Sequence, residues 1–291
     1  MSEGSATWAN RVRGLVLGLA LGDSVGRGAV PASGPIRAGV STQLAAFTID
    51  GIIRAWIRGE HKGSVHWPAT HSRGCHALTR SLPLAALSQK ITADQLADLA
   101  RDVAALTHGD PRAYQTSAAA VTLLGQCLAA DAFDEAVMSK PHLLRLPDMA
   151  EFYGQIREAF DQAQQTPREK ARLAQLAPDA TALSALLGGV YVVASYRPVR
   201  ESPLTAGKAM EALTCAAAAP DGDSVAAVTG ALLGALHGVE IWPVELISRL
   251  ELVWVMDTLA RDLALQITES PAGNGYGPPK DPLWWERYPG W

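Results

Sequence analysis

Two stretches decide how this chain folds: Gly14-Leu-Val-Leu-Gly18-Leu-Ala-Leu-Gly22-Asp23-Ser-Val-Gly26 and Asp221-Gly-Asp223-Ser224-Val-Ala226-Ala-Val-Thr-Gly230-Ala-Leu-Leu-Gly234-Ala-Leu-His-Gly238. In the first, glycine recurs at every fourth position from Gly14 to Gly26; in the second, Ala226, Gly230, Gly234 and Gly238 repeat the spacing. Residues four apart share one face of an α-helix, so each stretch predicts a helix with a stripe almost free of side chains. Glycine inside a helix costs about 1 kcal/mol relative to alanine, so the stripes need a compensating gain. Close backbone approach to another helix supplies one. Both helices are therefore expected at the tightly packed centre of a bundle, crossing each other.

Helical periodicity continues outward from these stripes. Apolar residues recur at helix spacing over Trp8–Leu21, Thr42–Ile57, Ala77–Leu87, Ala93–Leu106, Arg112–Ala130, Asp148–Gln164, Thr181–Ser195, Pro203–Ala216, Ser224–His237 and Pro243–Ile267. Thr92-Ala-Asp-Gln95 has the pattern of a capping box, and Ser202-Pro203 offers an N-cap before a first-turn proline. Gly189-Val-Tyr-Val-Val193 is the one run that tempts a strand reading, and its alanine-rich flanks argue for helix. Gly22–Val40, Arg58–Gly74 and His142–Asp148 read as loops. The expectation is an all-α, compact, orthogonal multi-helix bundle forming a single domain over 1–291. Residues 270–291 are too rich in Gly and Pro for continuous helix, yet Trp284, Trp285, Tyr288 and Trp291 favour burial. An irregular, tryptophan-rich tail packed on the body is expected, with a subunit or peptide contact as the alternative.

Composition narrows the function classes. The 291 residues are 48% hydrophobic and 19% charged, the profile of a globular chain and not of a disordered one. A formal net charge of -4 leaves no electrostatic footprint for nucleic acid. Cys75, Cys127 and Cys215 are far apart and form neither a disulfide framework nor a CxxC knuckle, which suits a reducing cytoplasm. Arg11 and Arg13 before an apolar run mimic a signal peptide. The run is short and broken by glycine, and no small-x-small cleavage site follows, so it reads as helix. No segment approaches the ~18 uninterrupted apolar residues of a membrane span.

Chemistry-bearing residues gather at the ends of the stripes. Asp23 follows Gly22, while Asp221, Asp223 and Ser224 open the second helix. Asp and Ser cap free amides at a helix start and complement its dipole. Only one residue can be the N-cap, however, and two carboxylates with a hydroxyl also suit a hard cation such as Mg2+. His66, His71 and His76 with Cys75 lack zinc-ligand spacing and read as surface loop histidines. His108 and Asp110 read either as a polar pair in a pocket or as a capped turn before Pro111.

The two glycine stretches, with three others in order between them, resemble the ADP-ribosylglycohydrolases, the group that includes dinitrogenase reductase-activating glycohydrolase. Gly14–Gly26 resembles the group's G-x-x-x-G-x-A-x-G-D-A-x-G opening, and Asp221–Ala235 its late G-G-D-T-D-T motif. Leu106-Thr-His-Gly-Asp-Pro111 is similar to its T-H-x-x-P loop, Thr42-Gln-Leu-Ala45 to the end of T-D-D-T-Q-M-A, and Arg80-Ser-Leu-Pro-Leu84 to the end of G-N-G-x-x-M-R-x-x-P. The resemblance implies an all-α fold holding two Mg2+ ions (Mn2+ in some members) over ADP-ribose, and hydrolysis of the bond at ribose C1''. It implies metal ligation by Asp221, Asp223 and Ser224, with the two aspartates catalytic in an active enzyme. It also implies ligand contacts from Asp23, His108, Gly74 and Arg80.

The departures from the pattern are specific. Gly39, Val40 and Ser41 stand where the group has Thr-Asp-Asp, so both early metal carboxylates are missing. The Arg27–Pro35 loop holds no carboxylate, Cys75 replaces an asparagine, and Ala219-Pro220 replaces Gly-Gly. Asp50 stands where the group often has Glu and reads either as a partial replacement in the metal region or as a solvent-facing acid. Two hard cations held by one side of the site would keep excess charge, so the expectation is one Mg2+ at most, or none. ADP-ribose or a related nucleotide, free or on a modified protein, is the expected partner, with hydrolysis lost or impaired. An active, divergent Mg-assisted hydrolase is the alternative.

Overall fold

The computed structural model describes residues 6–28, 30–58, 64–138, 149–198, 204–273 and 279–289. These form α1 (Trp8–Gly26), α2 (Val40–Arg58), α3 (His76–Ser81), α4 (Ala93–Ala105), α5 (Pro111–Cys127), α6 (Phe133–Met138), α7 (Met149–Gln165) and α8 (Lys170–Leu176). After them come α9 (Ala182–Tyr196), α10 (Ala206–Ala216), α11 (Gly222–His237), α12 (Val244–Ile247), α13 (Val253–Thr268) and α14 (Pro282–Arg287). Among the described residues there is no strand, only two isolated bridges, Ile36 with Leu250 and Gly74 with Thr181.

The glycine stripes of α1 and α11 lie against each other at the centre. A Cβ added at Gly14 would meet the Gly234 carbonyl, at Gly18 the Gly230 carbonyl, at Gly22 the Ala226 carbonyl and at Gly26 the Gly222 carbonyl. One number rises as the other falls, so the helices run antiparallel, side by side over four turns, and do not merely cross. Their ends are pinned. The Trp242 indole donates to Gly14 O at 3.1 Å, and Asn10 Oδ1 accepts from the Val239 amide at 2.9 Å. Both helices are almost wholly buried, with α13 and α2 packed on α1, and α9 and α10 on α11. The buried Arg11 donates from Nη1 to the Ala130 carbonyl at 2.5 Å, where its charge meets the negative end of α5.

Several boundaries differ from those the sequence predicts. Ala77–Leu87 is not one helix: α3 passes at Leu82 into a 3-10 segment, Leu82–Gln89, with Pro83 in its first turn, where no amide is available to continue the α ladder. Pro243–Ile267 divides into α12 and α13, separated around Leu250, whose neighbours Arg249 and Glu251 exchange backbone hydrogen bonds with Ile36. The capping box at Thr92 forms as its pattern predicts. Thr205, not Ser202, caps α10; Ser202, Pro203 and the His142–Asp148 loop lie outside the described residues. Gly189–Val193 is helical, inside α9. Near the C-terminus α14 lays Trp284 and Tyr288 into the core, while Trp285 is half exposed and Trp291 lies outside the described residues.

Candidate functional site

The C-terminal end of α1, the first turns of α2, α3 and α11, and the Thr107–Asp110 loop meet at one junction. Its continuity is given by contacts. Asp23 reaches Thr42, Ser41 reaches His76, Cys75 lies against Asp221 and Ser224, and a Cβ on Gly26 would meet the Asp223 backbone. The antiparallel glycine stripes cause this meeting, because they bring the end of α1 beside the start of α11.

On the α2 side, the Asp23 carboxylate is already engaged. Asp23 is buried, and its Oδ2 accepts from the Thr42 amide at 3.1 Å and the Thr42 hydroxyl at 2.5 Å. It thus satisfies a free amide in the first turn of α2 from outside the helix. Arg27 Nε lies 3.5 Å from the other oxygen. Gly39 makes this possible, since a Cβ there would press on both Asp23 oxygens and on Arg27. Val40 is 51% exposed and Ser41 fully buried, its hydroxyl 3.5 Å from His76 Nδ1.

The α11 side is the opposite case. Asp221 occupies the N-cap position yet makes no side-chain capping bond, and Asp223 accepts from its neighbour, the Ser224 amide, at 2.9 Å. Asp221 Oδ2 and the Ser224 hydroxyl are buried without a hydrogen-bond partner. Burial pushes the Asp221 carboxyl up, against a lowering from nearby Ser224, and the Asp223 charge adds to the rise. Cys75 is close enough to feel both Asp221 and Ser224; burial is the main cause that pushes its thiol up to about 12, so it stays protonated and is no nucleophile at neutral pH. Capping therefore does not explain these carboxylates.

A third wall is polar and preset. Buried Arg80 donates from Nη1 to the Thr107 hydroxyl at 3.1 Å, and that oxygen lies 2.8 Å from His108 Nδ1. Arginine can only donate, so the Thr107 hydroxyl stays able to give its proton to Nδ1 or to accept a second hydrogen bond from it. Burial, with help from His76 and Arg80, lowers the His108 pKa to about 4, so the ring is neutral at pH 7. Its Nε2 lies 3.2 Å from where a Cβ on Gly74 would stand; glycine keeps this face open. Burial also lowers the Arg80 pKa from its ordinary value.

The junction collects Asp23, Gly74, Arg80, His108, Asp221, Asp223 and Ser224, all singled out from sequence. Thr107, Thr42, Ser41, Cys75 and His76 join them without having been assigned a role; Thr107 was legible inside the Thr107-His108 pair. His66 and His71 are exposed, but His76 is half-buried against Ser41 and is not a surface histidine. Asp110 caps α5 through the Arg112 amide at 2.8 Å, which settles it as a capped turn. Asp50 pairs with Arg54 at 2.7 Å, and Arg54 also donates to the Pro289 carbonyl.

Whether a metal pair fits can be judged from these donors. Asp221 and Ser224 offer buried, uncommitted oxygens, the hard donors Mg2+ prefers. Opposite them stand a glycine, a valine, a serine turned to His76, and an aspartate held by Thr42 and Arg27. Among the described residues no three His, Cys, Asp or Glu side chains are grouped to hold an ion. The residues do not fit a two-metal centre.

Comparison with known proteins agrees with the fold. A family model described as ADP-ribosylglycohydrolase matches residues 34–273, so the first glycine stripe lies upstream of the match. A solved structure described as an "ADP-ribosylglycohydrolase-related protein complex" aligns with a TM-score of 0.57 at 20% identity, over 90% of this chain and 99% of that one. No curated protein matches by sequence. With the family model covering most of its length, the chain belongs to the ADP-ribosylglycohydrolase family.

Proposed function

We propose that the chain binds ADP-ribose, or a related nucleotide, free or carried on a modified protein, at this junction, and that the family's two-metal hydrolysis is lost or impaired. The observation that carries the reading is the commitment of Asp23 to Thr42 over a glycine at position 39. A carboxylate so held is withdrawn from metal ligation, which leaves half of a metal pair short of ligands. His108 Nε2, Arg80 and the open face of Gly74 supply the polar contacts that orient a ligand. The compartment proposed is the cytoplasm, and no described helix is long and apolar enough to cross a membrane. Self-association through the half-exposed Trp285 is a further proposal, read by gel filtration of Trp285→Ala.

A second reading is favoured by one observation, the uncommitted oxygens of Asp221 and Ser224. In it, Asp221, Asp223 and Ser224 hold one Mg2+ and the two aspartates serve an active, divergent hydrolase acting on the N- or O-glycosidic bond of ADP-ribosylated substrates. Calorimetry of ADP-ribose with and without Mg2+, followed by assay of ADP-ribose release from modified arginine and serine peptides, separates the two. Binding without turnover, weakened by His108→Ala and unchanged by Asp221→Ala, is expected. Turnover that Asp221→Ala abolishes would establish the second reading instead, and no binding at all would end the first.

A further inference from the structure

A cavity of about 250 Å³ opens behind the Gly74 segment, lined by Arg73, Arg112, Leu176, Asp179, Leu183 and Leu187 among others. The segment before Gly74 separates it from His108: the Arg73 carbonyl accepts from the Ala182 amide, and the Asp110 amide donates to the Ser72 carbonyl. Arg73 and Arg112 are both exposed, and among the described residues neither forms an ion pair or donates a side-chain hydrogen bond. Two guanidinium groups without an ion-pair partner among the described residues line one cavity, and each offers donors suited to an oxyanion.

The one acid in the lining does not fill that role. Asp179 Oδ1 already accepts from the Thr181 hydroxyl and the Ser184 hydroxyl, both at 2.6 Å, and from the Thr181 amide at 3.2 Å. It anchors the start of α9, and although Arg73 feels its charge, the cavity keeps more positive than negative groups. Gln175, Thr181 and Ser184 add neutral polar groups, and the rest of the lining is leucine, proline and alanine. An apolar floor with a few placed polar groups is the composition of a small-molecule site. Drug-sized ligands occupy roughly 300–1,000 Å³, so this cavity suits a fragment.

We propose that this cavity binds a small organic anion, its single oxyanion group held between Arg73 and Arg112 and its compact apolar body on Leu176, Leu183 and Leu187. The site is separate from the junction and does not depend on the function proposed for it. A phosphoester and a carboxylate share the required chemistry, and the test distinguishes them. Full-length protein is titrated at low ionic strength with phenyl phosphate, benzoate and inorganic phosphate, followed by calorimetry and amide chemical shifts. Saturable binding of phenyl phosphate or benzoate is expected, and the tighter of the two identifies the oxyanion. Binding should weaken at least tenfold in Arg73→Ala and in Arg112→Ala and vanish in the double variant. Leu183→Asn should weaken the aromatic anions and leave inorganic phosphate unchanged. Both arginines are exposed, so the variants keep the fold, which circular dichroism checks, and Asp221→Asn serves as an unaffected control. Shifts that never saturate, or saturable binding that survives loss of both arginines, would overturn the proposal.

Discussion

At position 39 the absence of a side chain lets the Asp23 carboxylate sit against the first turn of α2. Gly39→Ala is therefore expected to push Asp23 off Thr42 and to lower stability by roughly 1–3 kcal/mol, through overpacking and a lost charge-assisted bond. Asp23→Ala should cost a similar amount, and the double variant less than the sum, because both changes remove one interaction. Urea denaturation measures all three, and a neutral Gly39→Ala would show that Asp23 is not what position 39 accommodates. His108 and His237 carry a second consequence at this scale. Burial is the main cause that lowers each to about 4, beneath the ordinary 6.5. Between those values the unfolded chain takes up protons that the folded chain excludes, so stability is complete above about pH 6.5 and falls as pH drops toward 4. Melting temperatures across pH 7 to 4.5 should fall less steeply for His237→Gln than for the unaltered protein; equal slopes would contradict the assignment.

Among the elements, α1 and α11 put the glycine stripes to a clean test. Alanine is the better helix former by about 1 kcal/mol, so on propensity alone Gly18→Ala would stabilise. The Gly230 carbonyl occupies the place of the new methyl, and overpacking of this kind costs typically 1–3 kcal/mol. Gly18→Ala should lower the denaturation midpoint, while Gly51→Ala, in α2 with open space around its Cα, should leave it unchanged or raise it. If both substitutions stabilise, the helices do not approach as described. Sequence periodicity located these long helices well because each buries a continuous face. It missed α6, α8 and α14, where six or seven residues carry too little pattern to register. It also fused α12 with α13, since the break at Leu250 is set by pairing with Ile36, a partner remote in sequence.

For the whole molecule, the C-terminal segment closes the outer face of the bundle. Asp262, buried on α13, accepts from Arg287 Nη1 and the Tyr288 hydroxyl, each at 2.7 Å, and Trp284 is fully enclosed beside them. Trp284→Ala should cost about 3–5 kcal/mol as a cavity, and Tyr288→Phe about 1 kcal/mol as one lost hydrogen bond. Chemical denaturation reads both; a Trp284→Ala variant as stable as the parent would mean the segment does not pack. The sequence by itself determined the helical class and the two glycine stripes, because periodicity and missing side chains are local properties. It also placed Asp221, Asp223 and Ser224 together, since four consecutive positions at a helix start cannot be far apart. Only the tertiary structure decided which carboxylates are committed. Asp23 is held by Thr42 on a different helix, whereas Asp221, at a helix start that predicts a cap, caps nothing. An acid's role depends on which donors the fold brings within about 3 Å of it, a distance that residue identity does not encode. The asymmetry of the junction thus acquires its physical meaning from the packing of α1 against α11, which residue identity alone does not supply.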